Sequence, residues 1–252
     1  MLRTALHATP WTNVSPLEIC TLARTAGLHG VVVAAPHTAG ADIDWCKASD
    51  SQQLRIEAVR VESGLPETIL STSDRAMTQN AQVIIARPCL TARPNEAERA
   101  AWRQIGDLVG ARGHVLAVDF GATDTMDAKA MSQFIAELAV HQVRLCFDLG
   151  AYASLHPYSH WEVALQRVCT QLAVIWLSDS TGTPGDSQRP PLGEGTIDFY
   201  RTLEILRPLE FQGLVVLDVA PPRRAKGPPV EQLERSLTES VTHLRRCGWF
   251  DP

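Results

Sequence analysis

Four aspartates close apolar runs: Asp119 ends VLAVD, Asp148 ends RLCFD, Asp179 ends IWLSD and Asp218 ends VVLD. Carboxylates at strand ends can take up and return protons or coordinate hard cations. A single aspartate there reads equally well as a cap for the next loop or helix. Four in equivalent places point beyond capping, and closure of the runs into one sheet would bring Asp119, Asp148 and Asp218 to a common mouth. Three carboxylates cannot all stay ionised together without a compensating positive charge. Two compensators stand open, a divalent Mn or Mg held by Asp119, Asp148 and Asp218, or arginine with no metal at all. Arg189, in the loop SQRPPLGEGTIDF, is placed to reach over the pocket and bind substrate or carboxylate with a planar fork of donors. Arg60 and Arg87, near their strand ends, read as surface salt-bridge partners.

His7 lies on the first run and His37 just past the second, and both are candidates for substrate contact on the same face. Trp11 and Trp176 are candidates for an apolar wall against a substrate, with Trp176 equally readable as core filler. His156 and His160 read as loop or cap residues. No GxSxG, GxxxxGK or GxGxxG occurs, so nucleophilic-serine, P-loop and dinucleotide readings lack their motif.

The elements that must position these residues follow from the apolar pattern. ALHA, GVVVAA, LRIEAVRV, VIIAR, VLAVDF, VRLCFD, AVIWLS and GLVVLDV recur between helical stretches. Continuous runs suit parallel strands covered on both faces, and helices provide the crossovers. Eight such units predict one (β/α)8 barrel domain over residues 1–252, with a doubly wound sheet as the lesser alternative. Ser15-Pro16-Leu17-Glu18 reads as a capping box with proline at the first helical position, and Ser159 to Glu162 as a second box. Leu17, Cys20, Ala23 and Ala26 recur at helical spacing, and Gly27 ends that helix before the strand Val31 to Ala35. Barrel enzymes collect their chemistry at strand C-terminal ends, which puts the Pro/Gly-rich stretches Gly182 to Gly195 and Pro221 to Pro229 on the active face.

The 252 residues carry 23 basic and 28 acidic side chains, a formal charge of -5, and so no basic footprint for nucleic acid. Six separated cysteines without a CxxC pair read as reduced packing residues. No stretch approaches the roughly 18 apolar residues of a membrane span, and the start lacks a signal-peptide core. The expectation is a cytoplasmic protein with a small-molecule substrate, no nucleic-acid or membrane partner, and self-association into a homo-oligomer allowed.

Four phrases, in order, resemble the xylose-isomerase-like TIM barrel superfamily of sugar and sugar-phosphate isomerases and epimerases: CFDLGAY, VIWLSDS, PPLGEGTIDF and GLVVLDV. The opening PLEICTLARTAGLHGVVV also looks like that family's first helix and second strand. The resemblance implies a divalent metal held by Glu, Asp, His and Glu at the ends of strands five to eight, with two carboxylates shuttling a proton. Matched by position, these are Asp119, Asp148, Trp176 and Asp218, with Asp119 and Asp218 as the catalytic pair. Both glutamates are thus aspartates here, each shorter in reach by roughly 1.5 Å where metal distances tolerate about 0.2 Å. Trp176 cannot replace the histidine, because indole nitrogen only donates. The endonuclease IV branch needs a histidine-rich zinc cluster, and Ser187 and Arg189 stand where its Asp-x-His pair would fall.

Three readings follow. The leading one is an enzyme that moves a proton next to a carbonyl in a sugar-like metabolite, by isomerisation or epimerisation. A second is a metal-independent lyase or cyclase acting on a specialised metabolite. A third is a non-catalytic ligand-binding barrel, which requires all three aspartates to be paired with no open position for a reacting atom; the isomerase reading requires an open polar pocket.

Overall fold

A computed structural model describes residues 2–35, 41–61, 65–88, 90, 93–120, 126–156, 158–184, 186, 189–219 and 227–250. Eight parallel strands close on themselves in sequence order. They are β1 (Arg3–His7), β2 (Gly30–Ala34), β3 (Arg55–Val61), β4 (Val83–Ala86), β5 (Val115–Asp119), β6 (Val143–Asp148), β7 (Leu172–Leu177) and β8 (Leu214–Leu217). All eight apolar runs are strands, and β8 pairs with β1 to complete the barrel.

Helices form the outer ring: α1 (Pro16–Thr25), α2 (Ala41–Ser51), α3 (Pro66–Thr78), α4 (Glu96–Ala111), α5 (Ala128–Leu138), α6 (Leu149–Leu155), α7 (Trp161–Val168), α8 (Phe199–Leu206) and α9 (Pro229–Arg246). The box at Ser15 and Glu18 is formed reciprocally around Pro16. Gly27, at φ 83°, turns the chain out of α1 in a conformation that costs other residues a clash at Cβ. Leu17 is exposed despite its spacing, and Ile19, Cys20 and Ala23 make the buried face. The second box does not form, because the N-cap of α7 falls one residue later, on His160, without a side-chain cap. A box at Asn95 and Glu98 opens α4 instead.

The barrel interior is a separate layer, distinct from the sheet–helix core. Ala5, Val32, Ala58, Ile85, Ala117, Cys146, Val174, Trp176 and Val216 face one another inside it. Side chains alternate along a strand, so the inward residue two positions further on lies nearer the C-terminal mouth. That parity turns His7, Arg60, Asp119, Asp148, Ser178 and Asp218 into the mouth. Two irregularities set it: the register of β3 against β2 skips Glu57, and that of β7 against β6 skips Ala173. Each bulge reverses which side chains face inward beyond it. Without the first, Arg60 would point at the helices.

Candidate active site

Asp119, Asp148 and Asp218 are each 1% exposed and all gather at the mouth. Their compensation is cationic side chains. Arg189 Nη2 donates to Asp148 Oδ2 at 3.0 Å, and Nη1 of the same guanidinium pairs with Asp218 Oδ2. Arg60 Nη2 pairs with Asp119 Oδ2 at 3.4 Å. Arg60 is therefore no surface residue; it is buried, with its guanidinium carbon 5.0 Å from the centroid of the Trp176 ring. Arg87 lies exposed beyond β4 and still acts electrostatically on Asp119.

Asp148 has little capacity left. Its Oδ1 accepts the Ala151 amide at 3.0 Å, capping α6, and also accepts the Ser178 hydroxyl in a short bond. Ser178 in turn accepts the Gly150 amide at 2.9 Å. Asp218 Oδ1 accepts from His7 Nδ1 at 2.8 Å, which places the ring proton on Nδ1 and orients Nε2 away from the carboxylate. The His7 ring meets Trp176 edge to face at 4.6 Å between centroids. Trp176 thus floors the mouth between His7 and Arg60.

Asp119 is the carboxylate with capacity to spare. Its Oδ1 is buried and has no hydrogen-bond partner among the described residues. Burial pushes its carboxyl up to about 6, opposed by Arg60 and reinforced by the nearby Asp148 charge, with Arg189 and Arg87 pulling down. β5 and β1 stand four strands apart either way round the closed barrel, so Asp119 and His7 come from opposite walls.

Asp179 does something different. Its carboxylate accepts the amides of Ser180, Gly193, Gly195 and Ile197 at 2.8 to 3.0 Å, pinning the loop that carries Arg189. A Cβ on Gly195 would collide with that carboxylate, so the close approach needs glycine. Trp11 is packed into the outer core, its indole donating to the Val219 carbonyl at 2.5 Å. His160 caps α7 and His156 ends α6 against Tyr152. His37 and the 220–226 stretch lie outside the described residues.

The donor set does not suit a divalent metal. Among the described residues no group of three His, Cys, Asp or Glu is placed to hold one. Arg189 already bridges two of the three aspartates, and Trp176 offers only an N–H. A divalent ion about 4 Å from a guanidinium would meet a repulsion of roughly 8 kcal/mol at an effective dielectric of about 20. The pairing required by a non-catalytic barrel is met at Asp148 and Asp218 and only half met at Asp119.

Residues 86–247 match the family model described as xylose isomerase-like TIM barrel. Among curated proteins, none has a matching sequence. Solved structures with the same fold include D-psicose 3-epimerase from Clostridium cellulolyticum H10, at 12% identity and a TM-score of 0.77, covering 98% of this chain and 99% of that one. The 3-keto-D-glucoside 4-epimerase of E. coli has 16% identity and a TM-score of 0.73, covering 98% and 100%. A xylose isomerase-like TIM barrel protein from Mycobacterium smegmatis, solved in complex with magnesium, has 14% identity and a TM-score of 0.71, covering 97% and 98%.

Proposed function

The chain belongs to the xylose isomerase-like TIM barrel family, and on that premise we propose that it is an isomerase or epimerase-type enzyme moving a proton next to a carbonyl in a small hydroxy-carbonyl metabolite. The observation that carries the reading is Asp119: a buried carboxylate with an unpartnered oxygen among the described residues, paired with Arg60 and facing the wall that carries His7. The epimerases with the same fold support the reaction class.

In this reading Asp119 removes the proton from the carbon beside the carbonyl, and the electron pair moves onto the carbonyl oxygen. The Arg60 and Arg189 guanidinium groups stabilise the negative charge that develops there, which costs little reorganisation because both are already held by carboxylates. His7, oriented by Asp218 through Nδ1–H, returns a proton from the opposite wall as the imidazolium, giving up its Nε2 proton and regaining one from solvent while Asp119 releases the proton it took, so Asp218 acts through the imidazole. Asp148 holds Arg189. Trp176 supplies the surface on which an apolar C–H face of the substrate rests.

A metal-independent lyase draws on the same groups, and the pairing of Asp148 and Asp218 with Arg189 in place of a cation favours it over any metal-dependent variant. The test is incubation of chelator-treated protein with ketoses, keto-sugars and cyclitol ketones in heavy water, read by proton NMR. The expected result is deuterium at the carbon beside the carbonyl with wild type and none with Asp119→Asn. Loss of water or another fragment from the substrate would favour the lyase, and no exchange with any carbonyl compound would favour a ligand-binding barrel.

A further inference from the structure

Asp148 ends β6 and Asp218 follows β8, with β7 between them. Three of their four oxygens accept hydrogen bonds, Asp148 Oδ1 from Ser178 and Ala151, Asp148 Oδ2 from Arg189 and Asp218 Oδ1 from His7, and the fourth, Asp218 Oδ2, lies in ion-pair contact with Nη1 of the same Arg189. A single guanidinium therefore spans two carboxylates two strands apart, the place at which a bridging cation would have to sit.

The bridge is built in. Pro190 and Pro191 follow Arg189 and bias the chain there toward an extended path. Beyond them the loop is clamped by Asp179 at Gly193, Gly195 and Ile197, and Leu192 donates to Ser240 of α9 at 3.2 Å. The between-strand position offers Ser178, which is engaged with Asp148, and Trp176, which cannot ligate.

We propose that the Arg189 guanidinium is the resident cation of this site, standing in for the divalent ion that related barrels bind, so that the protein is metal-independent by construction. The inference rests on reading this mouth as the functional site, and it holds whichever reaction runs there. It makes a statement about the protein with no substrate present: the carboxylates are closed to metal while Arg189 is in place, and removing that side chain leaves an uncompensated pair of buried carboxylates that attracts a hard cation.

The experiment is a manganese titration of chelator-treated protein, followed by the loss of the free-ion electron paramagnetic resonance signal and by thermal unfolding. Wild type is expected to take up no stoichiometric manganese at millimolar ion. Arg189→Ala is expected to bind one ion at least on the order of tenfold more tightly than wild type, and to gain thermal stability with added manganese. Asp148→Asn in the Arg189→Ala background removes the gain. Arg189→Met, which keeps the bulk of the side chain without its charge, serves if the alanine variant does not fold. Stoichiometric manganese in wild type that is lost in Asp148→Asn overturns the proposal. So does a folded Arg189 variant that takes up no more manganese than wild type. Deuterium exchange failing while the manganese result stands would sink the reaction and leave the role of Arg189 intact.

Discussion

Replacing Asp119 by asparagine keeps the shape of the side chain and removes its titration. The folded carboxyl is raised from an ordinary 3.8 to about 6, chiefly by burial. Between these values the folded chain holds a proton that the unfolded chain has released, so stability falls as pH rises through 6. By linkage, ionising this one group destabilises the fold by about 3 kcal/mol when complete, and about 1.4 kcal/mol of that is lost between pH 5 and pH 8. Asparagine resembles the protonated acid, so the variant escapes the loss. Urea unfolding of both proteins at pH 5 and pH 8 isolates the effect, since changes in every other group cancel in the difference. The variant is expected to gain roughly 1.4 kcal/mol on wild type over that interval. Equal differences at both pH values would mean that Asp119 titrates near 3.8 in the fold, and it would then not be a base poised near neutrality.

Asp179→Asn places an amide donor against backbone donors; a loss of about 2 to 4 kcal/mol is expected, with earlier proteolysis within residues 180–197, and an unchanged urea midpoint would refute the clamp. Gly195→Ala forces a methyl against the same carboxylate and should lower the thermal midpoint, by calorimetry, without changing helix content. Ser178→Ala strips a donor from buried Asp148 and should cost about 1 to 3 kcal/mol in the same unfolding assay. Burial pushes Cys20 up to about 12 and Cys146 well above its ordinary value, so neither thiol should react with a disulfide reagent at pH 8 until the protein unfolds.

The strands and their order were legible because continuous Val, Ile and Leu runs between helices admit few other folds, and the four terminal aspartates followed from the same runs. Asp179 showed the limit of that reasoning, since from the sequence it is indistinguishable from Asp119. Only its four backbone donors reveal a loop clamp. Arg60 reads as a surface salt-bridge partner from its place near a strand end, and nothing in RIEAVRV announces the bulge at Glu57 that turns Ala58 and Arg60 inward. His7 and Asp218 were each found as candidates, yet their pairing spans 211 residues of chain and depends on barrel closure. Arg189 was visible as a reaching cation, whereas its bridge between two aspartates depends on how Asp179 folds the loop.

The proposed chemistry is proton transfer by Asp119 among arginines, without a metal. Its most direct test is the pH dependence of deuterium wash-in, measured on chelator-treated protein with whichever carbonyl compound exchanges. The rate is expected to rise as Asp119 ionises through about pH 6, to level off above it, to vanish in Asp119→Asn, and to be indifferent to added manganese or magnesium. A rate that appears only with added metal, or that survives Asp119→Asn with its pH profile intact, would contradict the account.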